Sequence, residues 1–346
     1  MKAAVLEELK TIVVKDVPDP ICEDGDVIVK VHACAICGTD LRTFNFGHRN
    51  IVLPHILGHE ISGEIVEVGK NVNNFKVGDT VSVYPAIACN ECDWCRRGYQ
   101  VRCENTLQIG DELPGGFAQY VRIPEKGVKN GSLIAIPKNM DHKQAALAEP
   151  LGCVLNGQEL SDIGLGDTVV IIGAGPIGCM HAMLAKAQGA NKVIMADIKD
   201  ERLELAKRVN ADYYVNSSKE NLLEKILEFN DGRKADVVIV ACNVTKVVED
   251  SLELLDWEGR LSIFAGMPKD NSMVTVDANI VHYKDIKLVG SYGSTYWQHV
   301  TALNLIKDGV LDIKNIITHE LPLEDIDKGL ELVRKGESLK VVVIPW

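Results

Sequence analysis

Apolar and polar positions alternate with period two through much of the first 150 residues. The runs Lys2–Leu6, Asp26–Ala33, Glu60–Val68, Thr80–Val83 and Ala118–Ile123 are separated by Gly, Pro, Asn and Asp, the punctuation of short strands. Helical spacing is scarce there, so the pattern predicts a barrel-like β domain rather than alternating β and α. From about residue 151 the rhythm changes. Thr168–Ile172 is apolar throughout, as in a strand buried on both faces. Helical spacing over Pro176–Gln188, a strand at Lys192–Ala196 ending at Asp197, and helices over Asp200–Val209 and Lys219–Phe229 follow. Asp236–Ala241, Val244–Leu255 and Arg260–Ala265 continue the alternation, which predicts a parallel, doubly wound sheet. Helices near Thr295–Asp308 and Leu323–Lys335 and a strand at Lys340–Ile344 complete the chain. The expected fold class is therefore α/β, with a separate β-rich domain.

Thr168 to Ala185 holds no Asp, Glu, Lys or Arg over 18 residues, the lower edge of a membrane-spanning length. Gly173, Gly175, Pro176 and Gly178 break that run into strand, turn and helix, so no membrane span is expected. The N-terminus lacks a long apolar stretch with a cleavage site, and a cytoplasmic location is expected. The composition, 46% hydrophobic and 25% charged, is that of a globular chain. A net charge of −12 argues against nucleic acid and anionic membranes as partners.

Ten cysteines in a reducing compartment do not form a disulfide framework. Cys89, Cys92, Cys95 and Cys103 fall within fifteen residues, and Gly98 lets the chain fold back on itself. Four thiolates at that spacing suit a closed, structural zinc site. An iron–sulfur cluster is the lower-ranked alternative. Such a site orders a lobe and turns over no substrate.

A second set is scattered. Cys37-Gly38-Thr39-Asp40 follows a strand, Gly58-His59-Glu60 opens another, and Glu149-Pro150 closes the β-rich region. Each alone is weak, since a lone His or Cys is more often core than ligand. Together they offer a thiolate, an imidazole and carboxylates, the ligand types of an open catalytic zinc. A cation there lowers the pKa of a bound water from about 16 to about 7. A comparable shift for an alcohol favours the alkoxide, from which hydride departs readily. Asp40 is placed to accept the second ring proton of His59, and Thr39 to pass the alcohol proton outward.

Gly173-Ala174-Gly175-Pro176-Ile177-Gly178 lies between an apolar strand and a helix, the context a dinucleotide fingerprint requires. Asp197 ends the next strand, 24 positions after Gly173. A carboxylate there binds adenosine ribose hydroxyls and repels a 2′-phosphate, favouring NAD over NADP. Arg202, within range of the same ribose, softens that preference.

These residues resemble the zinc-dependent medium-chain dehydrogenase family, near its sorbitol, threonine and sugar-alcohol members. The likeness also runs through Gly63, Val77-Gly78-Asp79-Thr80-Val81, Gly115-Gly116-Phe117-Ala118-Gln119-Tyr120-Val121 and Leu151. It implies a GroES-like catalytic domain over residues 1–150, carrying a structural-zinc lobe at about 86–105 and completed by 291–346. A Rossmann NAD-binding domain would occupy 151–290. Cys37, His59 and one or both of Glu60 and Glu149 would surround a catalytic zinc, with a second, structural zinc in each chain. The resemblance further implies a small-molecule substrate and a homotetramer or dimer. The leading expectation is NAD-dependent oxidation of a secondary alcohol on a polyol, sugar or sugar acid. L-threonine 3-dehydrogenase and a simple alcohol dehydrogenase are the alternatives. From another class, a non-catalytic nucleotide-binding protein is opposed by the intact set Cys37, His59, Glu60 and Glu149. Arg42 stands where many relatives have a proton-relaying His. Ser291 and Tyr292 stand where sorbitol dehydrogenases have an Arg-Tyr pair, which makes sorbitol itself a poorer candidate. The loop residues His48, Arg49 and His55 read as solvated, with contact to a polar substrate as the alternative.

Overall fold

Val27–Ala35 is the hub of the β-rich part. Its V-I-V-K-V-H-A-C-A run is buried along almost its whole length, because neighbours cover it on both faces. It pairs antiparallel with Glu60–Val68 along one edge. Its other edge is shared, with Tyr120–Ile123 at the start and Lys340–Ile344 at the end. Register shifts at Ile28/Val29 and Val31/Ala33 bend the strand as bulges do. The resulting seven-stranded sheet runs Leu133–Ala135, Thr80–Val83, Glu60–Val68, Val27–Ala35, Lys340–Ile344, Ile317–Pro322, with Tyr120–Ile123 beside the hub. Val29, Leu57, Ile61, Ile65, Phe117 and Val343 fill its interior.

The computed structural model describes all residues, Met1–Trp346. Met1–Gly152 and Ser294–Trp346 form one compact unit, and Cys153–Gly293 forms another. The second is a six-stranded sheet in the order Tyr213–Asn216, Lys192–Asp197, Thr168–Ile172, Ala235–Val240, Leu255–Ile263, Lys287–Gly290. Every neighbouring pair is parallel. Thr168–Ile172 is buried at every position, as its apolar run predicts. The amphipathic helix Leu222–Phe229 starts where the Asn221 side chain accepts hydrogen bonds from the Leu223 and Glu224 N–H groups, an N-cap.

Helices are more frequent before residue 150 than the pattern suggests. Gly38–Phe46 has no clear apolar stripe; Asp40 starts it by accepting the Cys37 N–H at 2.8 Å. His142–Ala146 is capped by Asp141, which accepts the Lys143 N–H. Ala148–Leu160 carries Pro150 in its first turn, where a missing N–H costs nothing. The Glu149-Pro150 pair therefore opens a helix instead of ending a β region. The uncharged stretch from Thr168 to Ala185 resolves into a strand and the helix Pro176–Ala187. No helix is long and apolar enough to cross a membrane.

Candidate active site and metal centres

The glycine turn follows the central strand of the second unit. Gly173 has φ +115°, in the region that favours glycine. A Cβ on Gly178 would stand 1.9 Å from the Gly173 carbonyl oxygen, so only glycine lets the helix approach this closely. The helix Pro176–Ala187 begins with Gly175 as N-cap and Pro at its first turn, presenting free N–H groups suited to a pyrophosphate. Asp197 Oδ2 accepts the Ala174 N–H at 2.9 Å, and its Oδ1 accepts the Lys199 N–H at 3.1 Å. The carboxylate is thus fixed beside the turn. The Arg202 guanidinium lies 4.0 Å from where a Cβ on Gly175 would stand.

The four clustered cysteines converge. A helical turn, Asp93–Arg96, starts after Cys92, and a 3-10 turn, Gln100–Arg102, leads into Cys103. Paired segments Ala86–Ile87 and Leu107–Gln108 close the base of this lobe. All four Sγ atoms lie within 4.8 Å of one another, and Cys89 and Cys95 are 3.9 Å apart. Tetrahedral zinc at about 2.3 Å from each sulfur requires sulfurs about 3.8 Å apart. The Glu91 and Cys92 N–H groups donate to Cys89 Sγ, and the Cys89 N–H donates to Cys103 Sγ at 3.2 Å. Those backbone donors favour the thiolate and bring the Cys89 thiol down to about 6. Donor set and spacing both fit a zinc ion. Trp94, Tyr99 and Arg102 brace the lobe, with the guanidinium 5.4 Å from the indole centroid and 5.2 Å from the phenol's.

The scattered set also converges in part. Ligand atoms of Cys37, His59 and Glu60 lie within 4.8 Å of one another. Cys37 precedes the helix Gly38–Phe46, while His59 and Glu60 lie at the start of the strand Glu60–Val68. Gly58, with φ +95°, permits the turn into that strand. One thiol, one imidazole and one carboxylate fit an open zinc site. Asp40 is buried, and its Oδ1 stands 3.6 Å from His59 Nδ1. That distance is an ion-pair contact, longer than a hydrogen bond. Burial opposes the charged imidazole, but the charges of Asp40 and Cys37 outweigh it and push His59 well above its usual range. Thr39 is half-buried beside Cys37, whereas Arg42 is exposed. Glu149, in the first turn of Ala148–Leu160, stands outside the convergent trio. Its charge nonetheless raises the pKa of both Glu60 and Lys340.

Lys340 belongs to this site although its spacing announces nothing. Its Nζ donates to both Glu60 carboxylate oxygens at 2.5 Å and to the Ile36 carbonyl at 3.1 Å. Both partners are buried, Glu60 at 0% and Lys340 at 2% exposure. Burial pushes the Glu60 carboxyl up against the opposing pull of Lys340. The one available signal was a lysine heading an otherwise apolar strand, K-V-V-V-I.

A parallel sheet with a glycine turn and a barrel with two convergent sulfur-containing ligand sets fit a two-part oxidoreductase. Residues 23–138 match the Alcohol dehydrogenase GroES-like domain and residues 176–308 the Zinc-binding dehydrogenase family. The L-threonine 3-dehydrogenase of Rhizobium etli (strain CIAT 652) is 34% identical over 347 residues, covering 99% of this chain and 98% of that protein. A zinc-binding dehydrogenase of Sinorhizobium meliloti 1021, solved with NADP bound, superposes with TM-score 0.92 at 32% identity and 99% coverage of both chains. Galactitol-1-phosphate dehydrogenase of Escherichia coli superposes with TM-score 0.89 at 27% identity, covering 100% of each. The chain belongs to the zinc-dependent medium-chain dehydrogenase family and is a dehydrogenase.

Proposed function

We propose that this enzyme oxidises a secondary alcohol on a polar substrate, of the polyol, sugar or sugar-acid class, with NAD⁺ as acceptor. The convergence of half-buried Cys37 with buried His59 and Glu60 carries the reading. Those three residues would hold one zinc, with Glu149 nearby, and Cys89, Cys92, Cys95 and Cys103 a second. When bound, the catalytic zinc supplies Lewis acidity towards an alcohol oxygen and the nicotinamide coenzyme accepts hydride. The chain's residues do the rest. Asp40 occupies the Nδ1 side of His59 and so leaves Nε2 as the ligand atom. Lys340 balances the Glu60 charge. Thr39 receives the alcohol proton on its hydroxyl and passes it to water. Arg42 cannot take that proton, because a guanidinium is already fully protonated.

Coenzyme choice rests on Asp197, which is fixed beside Ala174 and would repel a 2′-phosphate. Arg202 pulls the other way, and a neighbouring structure holds NADP. We assign residues 1–150 with 291–346 to catalysis and 151–290 to coenzyme binding, and we assign the chain to a homo-oligomer. The edge strand Lys287–Gly290 and the 67%-exposed Trp257 are surface that a partner copy would cover. Oxidation of L-threonine is a second reading, favoured by the activity named for the Rhizobium relative.

Metal analysis with NAD⁺ and NADP⁺ reduction across polyols, sugar acids, sugar phosphates and threonine tests this. The expected result is two zinc per chain, NAD⁺ ahead of NADP⁺, and turnover of a polyol or sugar. Turnover of threonine alone selects the second reading. At most one zinc with no turnover overturns both.

A further inference from the structure

The turn Gly110-Asp111-Glu112 is pressed against the candidate zinc ligand His59. A Cβ on Gly110 would stand 2.9 Å from the Gly58 carbonyl oxygen and 3.1 Å from His59 Cβ. The two acids on this turn differ. Glu112 is fully used, accepting from Asn50 Nδ2 at 2.6 Å and from the Gln108 N–H at 2.8 Å. Asp111 is only 9% exposed, yet its carboxylate has neither a hydrogen bond nor an ion pair. Its oxygens still reach solvent rather than being sealed off, so a partner for this mostly buried carboxylate comes from outside the chain.

Two orphaned groups lie on the segments packed around it. His48 Nδ1 and His55 Nε2 are buried without partners. The Asn50–Glu112 bond ties the segment carrying His48 to the turn, and the His55 ring hydrogen-bonds the Leu113 backbone. The charged groups acting on Asp111 are His59, His48, Glu112 and Asp40. The histidines expected to be solvated are therefore half-buried; Arg49 alone is exposed.

We propose that Asp111, flanked by His48 and His55, is the substrate-recognition carboxylate of this enzyme. It accepts a hydrogen bond from a hydroxyl or ammonium group on the substrate, and its charge turns away phosphate or carboxylate at that position. The inference rests on Cys37, His59 and Glu60 being the alcohol-oxidising site, and it narrows the substrate to neutral polyols and amino alcohols.

The test compares the zinc-loaded full chain with Asp111→Asn, using sorbitol, its 1-amino analogue, sorbitol 6-phosphate and 2-butanol. Losing one charged hydrogen bond lowers kcat/KM for sorbitol or the amine relative to 2-butanol by about 10- to 100-fold, through KM. Discrimination against the phosphate shrinks. The melting temperature rises, because an uncompensated charge is gone. A larger loss for the amine assigns the donor as ammonium; equal losses assign hydroxyl. Uniform slowing of all four compounds, or a lower melting temperature, overturns the proposal by making Asp111 structural. Should none of the four be oxidised, the alcohol-oxidation reading fails. Thermal shifts then decide for Asp111: sorbitol or the amine must stabilise the parent and not the variant, and equal or no stabilisation overturns the role.

Discussion

The two sulfur-bearing centres are built in opposite ways. Cys89, Cys92, Cys95 and Cys103 come from one loop of fifteen residues, on two short helical turns, with backbone N–H groups aimed at their sulfurs. Cys37, His59 and Glu60 come from separate elements of the barrel, and the charge of Glu60 is met by Lys340, 280 residues away. The first centre uses local geometry and needs little from the core around it. The second depends on strand register, since a one-residue slip would turn Glu60 away from its partner. A structural ion can be held by a loop, whereas a reactive one needs ligands locked by a packed sheet.

Removing one thiol from each centre separates their roles most clearly. Cys92→Ala should forfeit metal-coupled folding on the order of 10 kcal/mol within the lobe. The expected readings are one zinc per chain, a lower melting temperature and faster proteolysis near residues 86–105. Cys37→Ala should also bind one zinc but melt close to the parent, while kcat falls about a thousandfold, or about 4 kcal/mol. If both variants lose only stability, the division between the two centres is wrong. Lys340→Met sharpens the second half of the contrast. In the zinc-free chain, leaving Glu60 buried and unpaired should cost about 3–5 kcal/mol in urea unfolding, and adding Glu60→Gln should restore much of it. An unchanged unfolding midpoint would show that the pair does not hold the site.

What could be read in advance follows the same divide. The cysteine spacing and the turn Gly173–Gly178 are local patterns, and each sits where a local argument puts it. Lys340 was invisible because nothing near it in the chain signals an acid opposite. Asp111 was invisible because, beside Glu112 in a Gly- and Pro-containing loop, it resembles any solvated acid until its burial is known. The helix Ala148–Leu160 hid behind Pro150, Gly152 and Gly157, residues that normally argue against helix. Lys287–Gly290 is four residues long at a sheet edge, too short for alternation to register.

The strand Lys340–Ile344 pairs with Val27–Ala35 only after the whole Cys153–Gly293 unit has left the ribosome. The parallel sheet can close on its own while the barrel still waits for that partner. During the interval Glu60 lacks its counter-charge, and an incomplete chain would hold a zinc-hungry thiol and imidazole in an unfinished wall. Folding of this chain therefore has a built-in order, with the parallel sheet of Cys153–Gly293 first and the barrel last.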